Sequence, residues 1–373
     1  MIIGVPKEIK ANEKRVSLLP HSVRQIVALG HNIVVQKNAG LESGISDSEY
    51  EKEGAQILPD INSVYEKSDV IIKVKEPLDV ELELIRDSQI IFTFFHFAAD
   101  KHLLEKFIET NAIAVAYETV EDSKGNLPLL TPMSEIAGRM AIQNGAKYLE
   151  GTHGGKGVLL SGVPGVAPAT VTIIGGGVVG LNSAKLAAGL GAKVNILDID
   201  MDRLRYLDDI MPSNVFTHHS NSHTINNLLP KTDLLIGGVL VPGSKAPKII
   251  NKEMLKLMKK GSVIVDVAVD QGGCMETTKP TTHENPIYDV GGIVHYCVAN
   301  MPGAVPQTST VSLTNCTSSY ILALLREDFS SSHLNNESIK KGVNVYKGKI
   351  THKGLAESFN LPYENIDSAI SLK

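Results

Sequence analysis

The sequence predicts an α/β protein of two domains, each built on a largely parallel sheet. The first observation is the length, because 373 residues correspond to two domains at about 150 residues each. The second is an alternation of short β-branched runs with amphipathic stretches, which is typical of parallel α/β folds. The third is that this alternation begins anew at Val171, with intervals that suit the crossover helices of a doubly wound sheet.

The N-terminal part predicts a first parallel sheet covered by helices. Two amphipathic stretches, residues 22–29 and 101–108, place apolar side chains on one helical face. The strand-like runs cover residues 33–35, 70–74, 90–95 and 112–116. A helical pattern over residues 133–150 follows, and we expect a domain boundary near residue 130.

The second part predicts a doubly wound sheet and a short tail. Its strand-like runs cover residues 171–174, 193–197, 233–236, 263–267 and 294–298. The tail after Pro306 reads as a helix through residues 320–325 and shorter polar elements, too little to make a third core. We therefore expect the tail to pack on one of the two domains.

Composition and charge exclude several classes of protein. A content of 43% hydrophobic and 21% charged residues is that of a folded globular chain. The net charge of -5 without basic stripes argues against nucleic acid as a partner, and no stretch approaches the roughly 20 apolar residues of a membrane span. Cys274, Cys297 and Cys316 lack the Cys-x-x-Cys spacing of redox pairs and zinc sites. We expect a cytoplasmic protein with reduced thiols.

A glycine-rich loop follows the strand-like run at residues 171–174. It reads Gly175-x-Gly177-x-x-Gly180, and a helical pattern begins directly after it. Gly175 would permit the tight turn, Gly177 would let the backbone approach a pyrophosphate, and Gly180 would allow close packing of the helix. The helix N-terminus would supply free N–H groups. The complete strand, loop and helix context predicts a dinucleotide site.

An acidic residue at the end of the next strand favours NAD. Asp198 would accept hydrogen bonds from a ribose 2′-hydroxyl, and its charge would repel the 2′-phosphate of NADP. FAD remains an alternative on the fingerprint alone, and so does an ordinary glycine turn in an α/β unit.

Two basic residues occupy positions where an α/β sheet binds ligands. Arg15 lies between the first strand and the first helix and could hold a carboxylate; a solvated surface arginine is the alternative. Lys75 ends the run at residues 70–74 and therefore lies at the carboxyl end of a strand. A solubilising surface charge is the alternative for this lysine.

Two titratable residues follow strand-like runs in the same way. His96 follows residues 90–95 and could transfer protons near neutral pH; a partly buried histidine bonded to backbone is equally compatible with the pattern. Asp270 lies at a strand-to-loop corner of the second domain and could face a nicotinamide, with a turn or cap aspartate as the alternative.

The remaining motifs do not support metal or hydrolase chemistry. His218, His219 and His223 lack the helical spacing with a glutamate that a hydrolytic zinc site shows, and we expect them on the surface. No Gly-x-Ser-x-Gly or Walker sequence is present. We expect no metal site.

Several segments together resemble the L-alanine dehydrogenase family (alanine dehydrogenase/pyridine nucleotide transhydrogenase). They cover nearly the whole chain in the family's order: Val5-Pro-Lys-Glu-Ile9, Glu13-Lys-Arg-Val16, Val74-Lys-Glu-Pro77, Pro132-Met-Ser-Glu-Ile-Ala-Gly138, Gly154-Gly-Lys-Gly157, Gly162-Val-Pro-Gly-Val166, Ile173-Ile-Gly-Gly-Gly-Val-Val-Gly180, Asp266-Val-Ala-Val-Asp-Gln-Gly-Gly273, Lys279-Pro-Thr-Thr-His283 and Ala299-Asn-Met-Pro-Gly-Ala-Val-Pro306. Departures at Phe97, Leu181 and Gln307 remove none of the groups considered above.

The resemblance implies two Rossmann-like domains, with the dinucleotide domain (residues 131–306) inserted into a discontinuous substrate domain (residues 1–130 and 307–373). It implies reversible NAD-dependent oxidation of L-alanine to pyruvate and ammonium by a homohexamer. By position, Arg15 and Lys75 match substrate-holding residues, and His96 and Asp270 match the catalytic pair.

The resemblance also implies a set of cofactor-binding residues. Besides Gly175, Gly177 and Gly180, these are Ser134, Val178, Val179, Asp198, Arg203, Ser220, Val239, Leu240, Val267, Ala268, Val269, Asp270, Lys279, Val298, Ala299, Asn300 and Met301. Two other interpretations stay open. One is the soluble NAD-binding component of a nicotinamide nucleotide transhydrogenase, and the other is a non-catalytic NADH sensor.

Overall fold

The chain forms two compact units in a computed structural model that describes residues 1–239, 246–329 and 334–371. Unit 1 comprises Met1–Met133 and Gly303–Lys373, and unit 2 comprises Ser134–Pro302. The boundaries between the units along the chain therefore lie at residues 133/134 and 302/303, whereas the sequence predicted 130/131 and 306/307. Leu240 lies outside the described residues.

The elements alternate along the chain as the sequence predicts. The strands are β1 Ile2–Val5, β2 Asn32–Gln36, β3 Gln56–Leu58, β4 Val70–Ile72, β5 Ile90–Thr93, β6 Ile113–Ala116, β7 Thr170–Ile174, β8 Lys193–Asp198, β9 Val215–His219, β10 Leu234–Gly237, β11 Val263–Asp266, β12 Ile287–Val290, β13 Ile293–Tyr296, β14 Val343–Tyr346 and β15 Lys349–Ile350. The α-helices are α1 Pro20–Ala28, α2 Asp47–Lys52, α3 Ile61–Lys67, α4 Asp79–Leu82, α5 Lys101–Glu109, α6 Thr131–Tyr148, α7 Val178–Gly189, α8 Met201–Ile210, α9 Ser222–Leu228, α10 Lys252–Leu255, α11 Pro306–Leu324, α12 Glu337–Gly342, α13 Lys353–Phe359 and α14 Ile366–Ser371.

The sheet of unit 1 has the order β15-β14-β6-β5-β4-β1-β2-β3 among the described residues. The strands from β6 to β3 pair in parallel, whereas β14 is antiparallel to β6 and β15 to β14. Every residue of β4, β5 and β6 is buried, as expected for central parallel strands with both faces covered. Phe95, Phe107 and Val345 belong to a single apolar cluster of this unit.

The sheet of unit 2 repeats the same arrangement. Its described strands have the order β12-β13-β11-β10-β7-β8-β9, with only β12 antiparallel to its neighbour. In each unit the first strand lies between the second and the fourth of that unit. The strand order therefore reverses beside β1 in unit 1 and beside β7 in unit 2, which is where open α/β sheets bind ligands at the carboxyl ends of their strands.

The predicted fold class is confirmed, and several element ends are corrected. The strands β4, β5 and β13 end two residues or more before the apolar runs at 70–74, 90–95 and 294–298 do. After β4 the chain leaves the sheet because the Val74 N–H is bonded by the Glu8 carboxylate. Lys75 therefore lies beyond the strand and does not close it.

The tail differs most from the sequence interpretation. The helix expected over residues 320–325 is part of α11, which begins at Pro306. The sequence did not reveal this earlier start because α11 buries small polar residues such as Thr310, Thr314 and Thr317, which give no amphipathic signal. The rest of the tail contributes β14 and β15 to the sheet of unit 1. Among the described residues, no helix combines the length and the apolarity that crossing a membrane requires.

Candidate active site

Lys75 lies at the reversal point of the unit 1 sheet, and Glu8 fixes its main chain. Glu8 Oε1 accepts the N–H groups of Val74 at 2.6 Å and Lys75 at 3.3 Å. The hydroxyl of Thr93 donates to the Lys75 carbonyl at 2.8 Å. The loop after β1 and the end of β5 therefore hold Lys75 from two sides, and its side chain is only partly exposed.

A buried network of charged side chains holds Glu8 in this position. The Lys73 ammonium, which is fully buried, donates to Glu8 at 3.2 Å and to Glu81 at 2.5 Å. Burial raises the pKa of Glu8 despite the attraction of Lys73. Burial alone would lower the pKa of Lys73, but Glu8 and Glu81 outweigh it and raise that pKa. The ammonium therefore keeps its charge inside the fold.

Arg15 forms a second buried pair beside this network. Its Nε and Nη2 donate to the two carboxylate oxygens of Glu13 at 2.7 and 2.6 Å, a bidentate geometry that fixes the plane of the guanidinium. Arg15 is only 2% exposed, so the alternative of a solvated surface arginine is wrong. The charge of Glu13 contributes to the raised pKa of Glu8, which places the two carboxylates near each other.

His96 follows β5 with its imidazole exposed, so the partly buried alternative is wrong. Its backbone has φ 53°, in the left-handed region. The ring of Phe94 stacks on the imidazole, with centroids 5.7 Å apart and planes 4° apart. Because β1, β4 and β5 are neighbours, the carboxyl ends that precede Arg15, Lys75 and His96 share one edge of the unit 1 sheet.

In unit 2 the glycine loop joins β7 to α7 as predicted. Gly175 has φ 98°, and a Cβ on Gly180 would lie 1.9 Å from the Gly175 carbonyl oxygen, so neither position accepts a side chain without strain. Gly177 is exposed and precedes the first turn of α7 without a side-chain cap. No described atom lies within 4 Å of a Cβ built on Gly177. The loop therefore offers bare backbone to a ligand at a helix N-terminus.

The carboxylate of Asp198 lies against this loop. Its Oδ2 accepts the Gly176 N–H at 2.6 Å and its Oδ1 accepts the Asp200 N–H at 2.9 Å. The Nε of Arg203 in α8 donates to the Gly176 carbonyl at 2.6 Å, so this guanidinium connects α8 to the loop. Ser220 joins the group because its N–H donates to the Asp198 carbonyl at 2.8 Å.

Asp270 lies in the single helical turn Val267–Gln271 that follows β11. Its Oδ2 accepts the Asn300 N–H at 3.3 Å, and Asn300 itself has φ 57°. The buried carboxylate of Asp266 caps the turn by accepting the Ala268 N–H at 3.1 Å. Asp270 is exposed and the turn's cap is Asp266, so Asp270 is not the cap residue that the sequence left as an alternative.

The other residues of the expected cofactor set follow strand ends of the same sheet or flank the glycine loop. Val239 comes after β10, and its side chain would be 3.1 Å from a Cβ on Gly175. The N–H of Ala299 donates to the carbonyl of Thr281 at 3.1 Å, which joins the segment after β13 to the one that carries Lys279. The remaining members are Ser134 in the first turn of α6, Val178 and Val179 in the first turn of α7, Val267, Ala268 and Val269 in the turn after β11, and Val298 and Met301 after β13.

Sequence reasoning missed the acidic residues that hold these groups. Glu8, Glu13 and Glu118 bond to the main chain or side chain of Lys75, Arg15 and His96, respectively. A signal existed for Glu8, because a carboxylate directly after a first strand lies at the reversal point of a doubly wound sheet. Lys73, whose positive charge interrupts the apolar run at residues 70–74, was a second signal.

The histidines of unit 2 need one correction. His218 is half-buried rather than on the surface, and its Nε2 lies 3.0 Å from Asn195 Oδ1. Burial lowers the pKa of His218. Within the part of the chain that the structure describes, no group of three histidine, cysteine, aspartate or glutamate residues is arranged to hold a metal ion.

Comparison with known protein families gives two matches, which together cover most of the chain. Residues 4–137 match the model for "Alanine dehydrogenase/PNT, N-terminal domain", and residues 141–353 match "Alanine dehydrogenase/PNT, C-terminal domain". An alanine dehydrogenase of Methanococcus maripaludis is 51% identical over 372 residues, which cover 100% of each chain.

Solved structures agree with the family models. A structure of an L-alanine dehydrogenase matches with a TM-score of 0.92 and 47% identity, covering 96% of this chain and 99% of that one. A transhydrogenase from Sinorhizobium meliloti matches with a TM-score of 0.79 at 23% identity, covering 95% of this chain and 99% of that one, which shows a common fold. The chain belongs to the alanine dehydrogenase/PNT family.

Proposed function

We propose that this protein is an NAD-dependent L-alanine dehydrogenase, which interconverts L-alanine, NAD and water with pyruvate, ammonium, NADH and a proton. The observation that carries the proposal is the presence of Arg15, Lys75 and His96 after neighbouring strands of one sheet, in a chain that matches alanine dehydrogenases over its full length. Unit 1 supplies the substrate residues and unit 2 the cofactor residues.

The glycine loop of unit 2 fits a dinucleotide. The open approach at Gly177 leaves room for a pyrophosphate against the N-terminus of α7. Asp198 accepts ribose hydroxyls with the lone pairs that Gly176 and Asp200 leave free. The charge of the Asp198 carboxylate repels a 2′-phosphate, which favours NAD over NADP. When bound, NAD accepts the hydride from Cα of alanine.

The basic residues of unit 1 bind and orient the substrate. Arg15 and Lys75 neutralise the carboxylate of alanine or pyruvate, and a cation at the carbonyl oxygen of pyruvate polarises that bond in the reverse direction. Glu13 fixes the guanidinium plane of Arg15 and Glu8 fixes the main chain of Lys75, so both are set before the substrate binds. Preorganisation of this kind lowers the cost of reaching the transition state.

Proton transfer falls to His96 and Asp270. Loss of hydride from Cα leaves an iminium group on the substrate, which water attacks, and the attacking water must lose a proton before ammonia can leave. An imidazole can act as a general acid and as a general base. His96 follows β5 of unit 1 and Asp270 follows β11 of unit 2, both side chains are exposed, and each is a candidate for these transfers.

We further propose that the enzyme works in the cytoplasm as a homohexamer, as the family resemblance implies. Light scattering coupled to size-exclusion chromatography measures the oligomer directly. A mass of one or two chains would contradict the hexamer without affecting the proposed reaction.

Absorbance of NADH tests the function. We expect oxidation of NADH that requires both pyruvate and ammonium, is much slower with NADPH and with bulkier 2-oxo acids, and falls to a small residual rate in His96→Ala. NADH binding without turnover would contradict the proposal. In that case the transhydrogenase component and the NADH sensor are distinguished by hydride transfer to a second nucleotide, which only the first supports.

A further inference from the structure

We propose that Glu118 is a positioning residue for His96. Its carboxylate holds the main chain of residues 95–96 in the turn from which the imidazole projects. The proposal rests on the proposed function, in which His96 transfers protons.

The hydrogen bonds of Glu118 go to the backbone on either side of that turn. Both carboxylate oxygens accept the Phe95 N–H, at 3.2 Å each, and Oε1 also accepts the His96 N–H at 2.5 Å. These are charge-assisted bonds, which are shorter and stronger than bonds between neutral groups. They connect the residues after β5 to those after β6, the neighbouring strand.

The turn at His96 needs such support. A residue with a Cβ pays a steric penalty in the left-handed region, and φ of His96 is 53°. The sharp turn directly precedes the helical turn Phe97–Ala99, and Asp100 then caps α5 by accepting the Leu103 N–H at 3.1 Å. Without an acceptor for the two N–H groups, the segment would relax and carry the imidazole away from its position.

The same short segment also supports the imidazole ring. Phe94, which stacks on His96, packs edge-to-face on Tyr117 with centroids 5.0 Å apart. Tyr117 directly precedes Glu118. Tyr117 therefore supports the imidazole ring of His96 through Phe94, and Glu118 holds the backbone of His96 through its carboxylate. Thr119, the next residue, donates to Asn344 Oδ1 of β14 at 2.8 Å, which anchors the segment to the sheet.

Three single variants test the positioning role. Glu118→Ala should lower kcat about 100-fold, because small displacements of a reacting group carry losses of this order, with the dissociation constant of NADH unchanged. Glu118→Gln should retain most of kcat, since its carbonyl oxygen can replace Oε1 as the acceptor of both N–H groups. Glu121→Ala is the matched control, because it removes a carboxylate on the same segment that pairs with Lys341.

A double-mutant cycle separates positioning from a general structural role. If Glu118 acts through His96, Glu118→Ala should cause no further loss of kcat/KM once His96 is alanine. Additive losses would overturn the proposal, as would equal activity of the alanine and glutamine variants. Thermal melting of each variant shows whether it folds, and a melting point like that of Glu121→Ala is expected for Glu118→Gln.

Failure of this inference is distinguishable from failure of the proposed function. Full activity in His96→Ala would contradict the catalytic assignment of the histidine. Loss of activity in His96→Ala together with wild-type activity in Glu118→Ala would leave the catalytic assignment intact and refute the positioning role alone.

Discussion

The two units place their candidate ligand sites at equivalent points of equivalent sheets, yet they line them with opposite chemistry. Beside β1, unit 1 buries ionised side chains, among them the Glu13–Arg15 pair and the Lys73 ammonium. Beside β7, unit 2 presents a glycine loop in which no described atom lies within 4 Å of a Cβ built on Gly177. The fold thus determines where a ligand binds, and the residues at that place determine which ligand it is.

The contrast follows from the size and charge of the two ligands. A small carboxylate offers few atoms, so fixed cations must supply most of its binding energy. A dinucleotide offers a pyrophosphate and two riboses, and it needs close approach of backbone N–H groups over a longer surface. A side chain at Gly177 would block that approach, just as glycine in place of Arg15 would remove a cation that binds the carboxylate.

The largest expected effect is that of removing a cation from unit 1, which should reduce turnover of the substrate and leave binding of the cofactor unchanged. We expect Lys75→Ala to lower kcat/KM about 1,000-fold, because it removes a charge that acts on the substrate in the transition state. The dissociation constant of NADH, measured by fluorescence titration, should stay within about twofold of wild type. Lys106→Ala, which removes an exposed lysine paired with Glu109, is the control. Equal loss of turnover and of NADH binding would sink the assignment of Lys75 to the substrate.

Side chains added to the glycine loop should have the converse effect. Gly177→Ala should weaken NADH binding by about tenfold to 100-fold, since a methyl group there intrudes on the closest backbone approach. Its melting temperature should match that of wild type, because no described atom lies near the added carbon. Gly180→Ala, by contrast, should also lower the melting temperature, since its Cβ would overlap the Gly175 carbonyl. Wild-type NADH affinity in both variants would show that the loop does not bind the cofactor.

A change at Asp198 should alter the choice of cofactor with a smaller effect on rate. Asp198→Ser removes the charge that repels a 2′-phosphate. We therefore expect the preference for NADH over NADPH to decrease about tenfold, which corresponds to about 1.4 kcal/mol. The ratio of kcat/KM for the two cofactors measures this. An unchanged ratio would mean that another group selects against the phosphate.

The smallest expected effect concerns a buried neutral group of unit 2. His295 lies in β13, and burial lowers its pKa from 6.5. Below pH 6.5 the unfolded chain binds a proton that the folded state resists, so stability falls as pH decreases, by at most about 1.4 kcal/mol per pH unit. Urea unfolding at pH 7.5 and 5.5 should show a smaller difference for His295→Asn than for wild type. Parallel behaviour of the two proteins would refute the burial of a neutral imidazole.

The sequence predicted the fold class and the glycine loop because both depend on local patterns. Alternating apolar runs report the strands, and a strand, glycines and a helix in direct succession report the loop. Positions such as Lys75 and His96 could be selected because charged residues after strand ends collect at one edge of a parallel sheet. Their roles stay predictions that the variants above examine.

The supporting contacts could not be predicted because they join distant segments. Glu8 bonds to Lys75 and Glu118 bonds to His96 across many residues of chain, and no spacing rule reports such partners. The start of α11 was missed because buried threonines give no amphipathic period. The strands of the tail were missed because β14 is a run of only four residues that includes Asn344.

The pairing of β14 with β6 also has a consequence for biosynthesis. All of unit 2 is translated between these two strands, and domains generally fold as units while the chain emerges. Until β14 arrives, β6 is an apolar strand with an open edge, the kind of surface that aggregates. We therefore expect unit 2 to complete its fold before unit 1 does, and we expect chaperones to bind the open edge of β6 in the meantime.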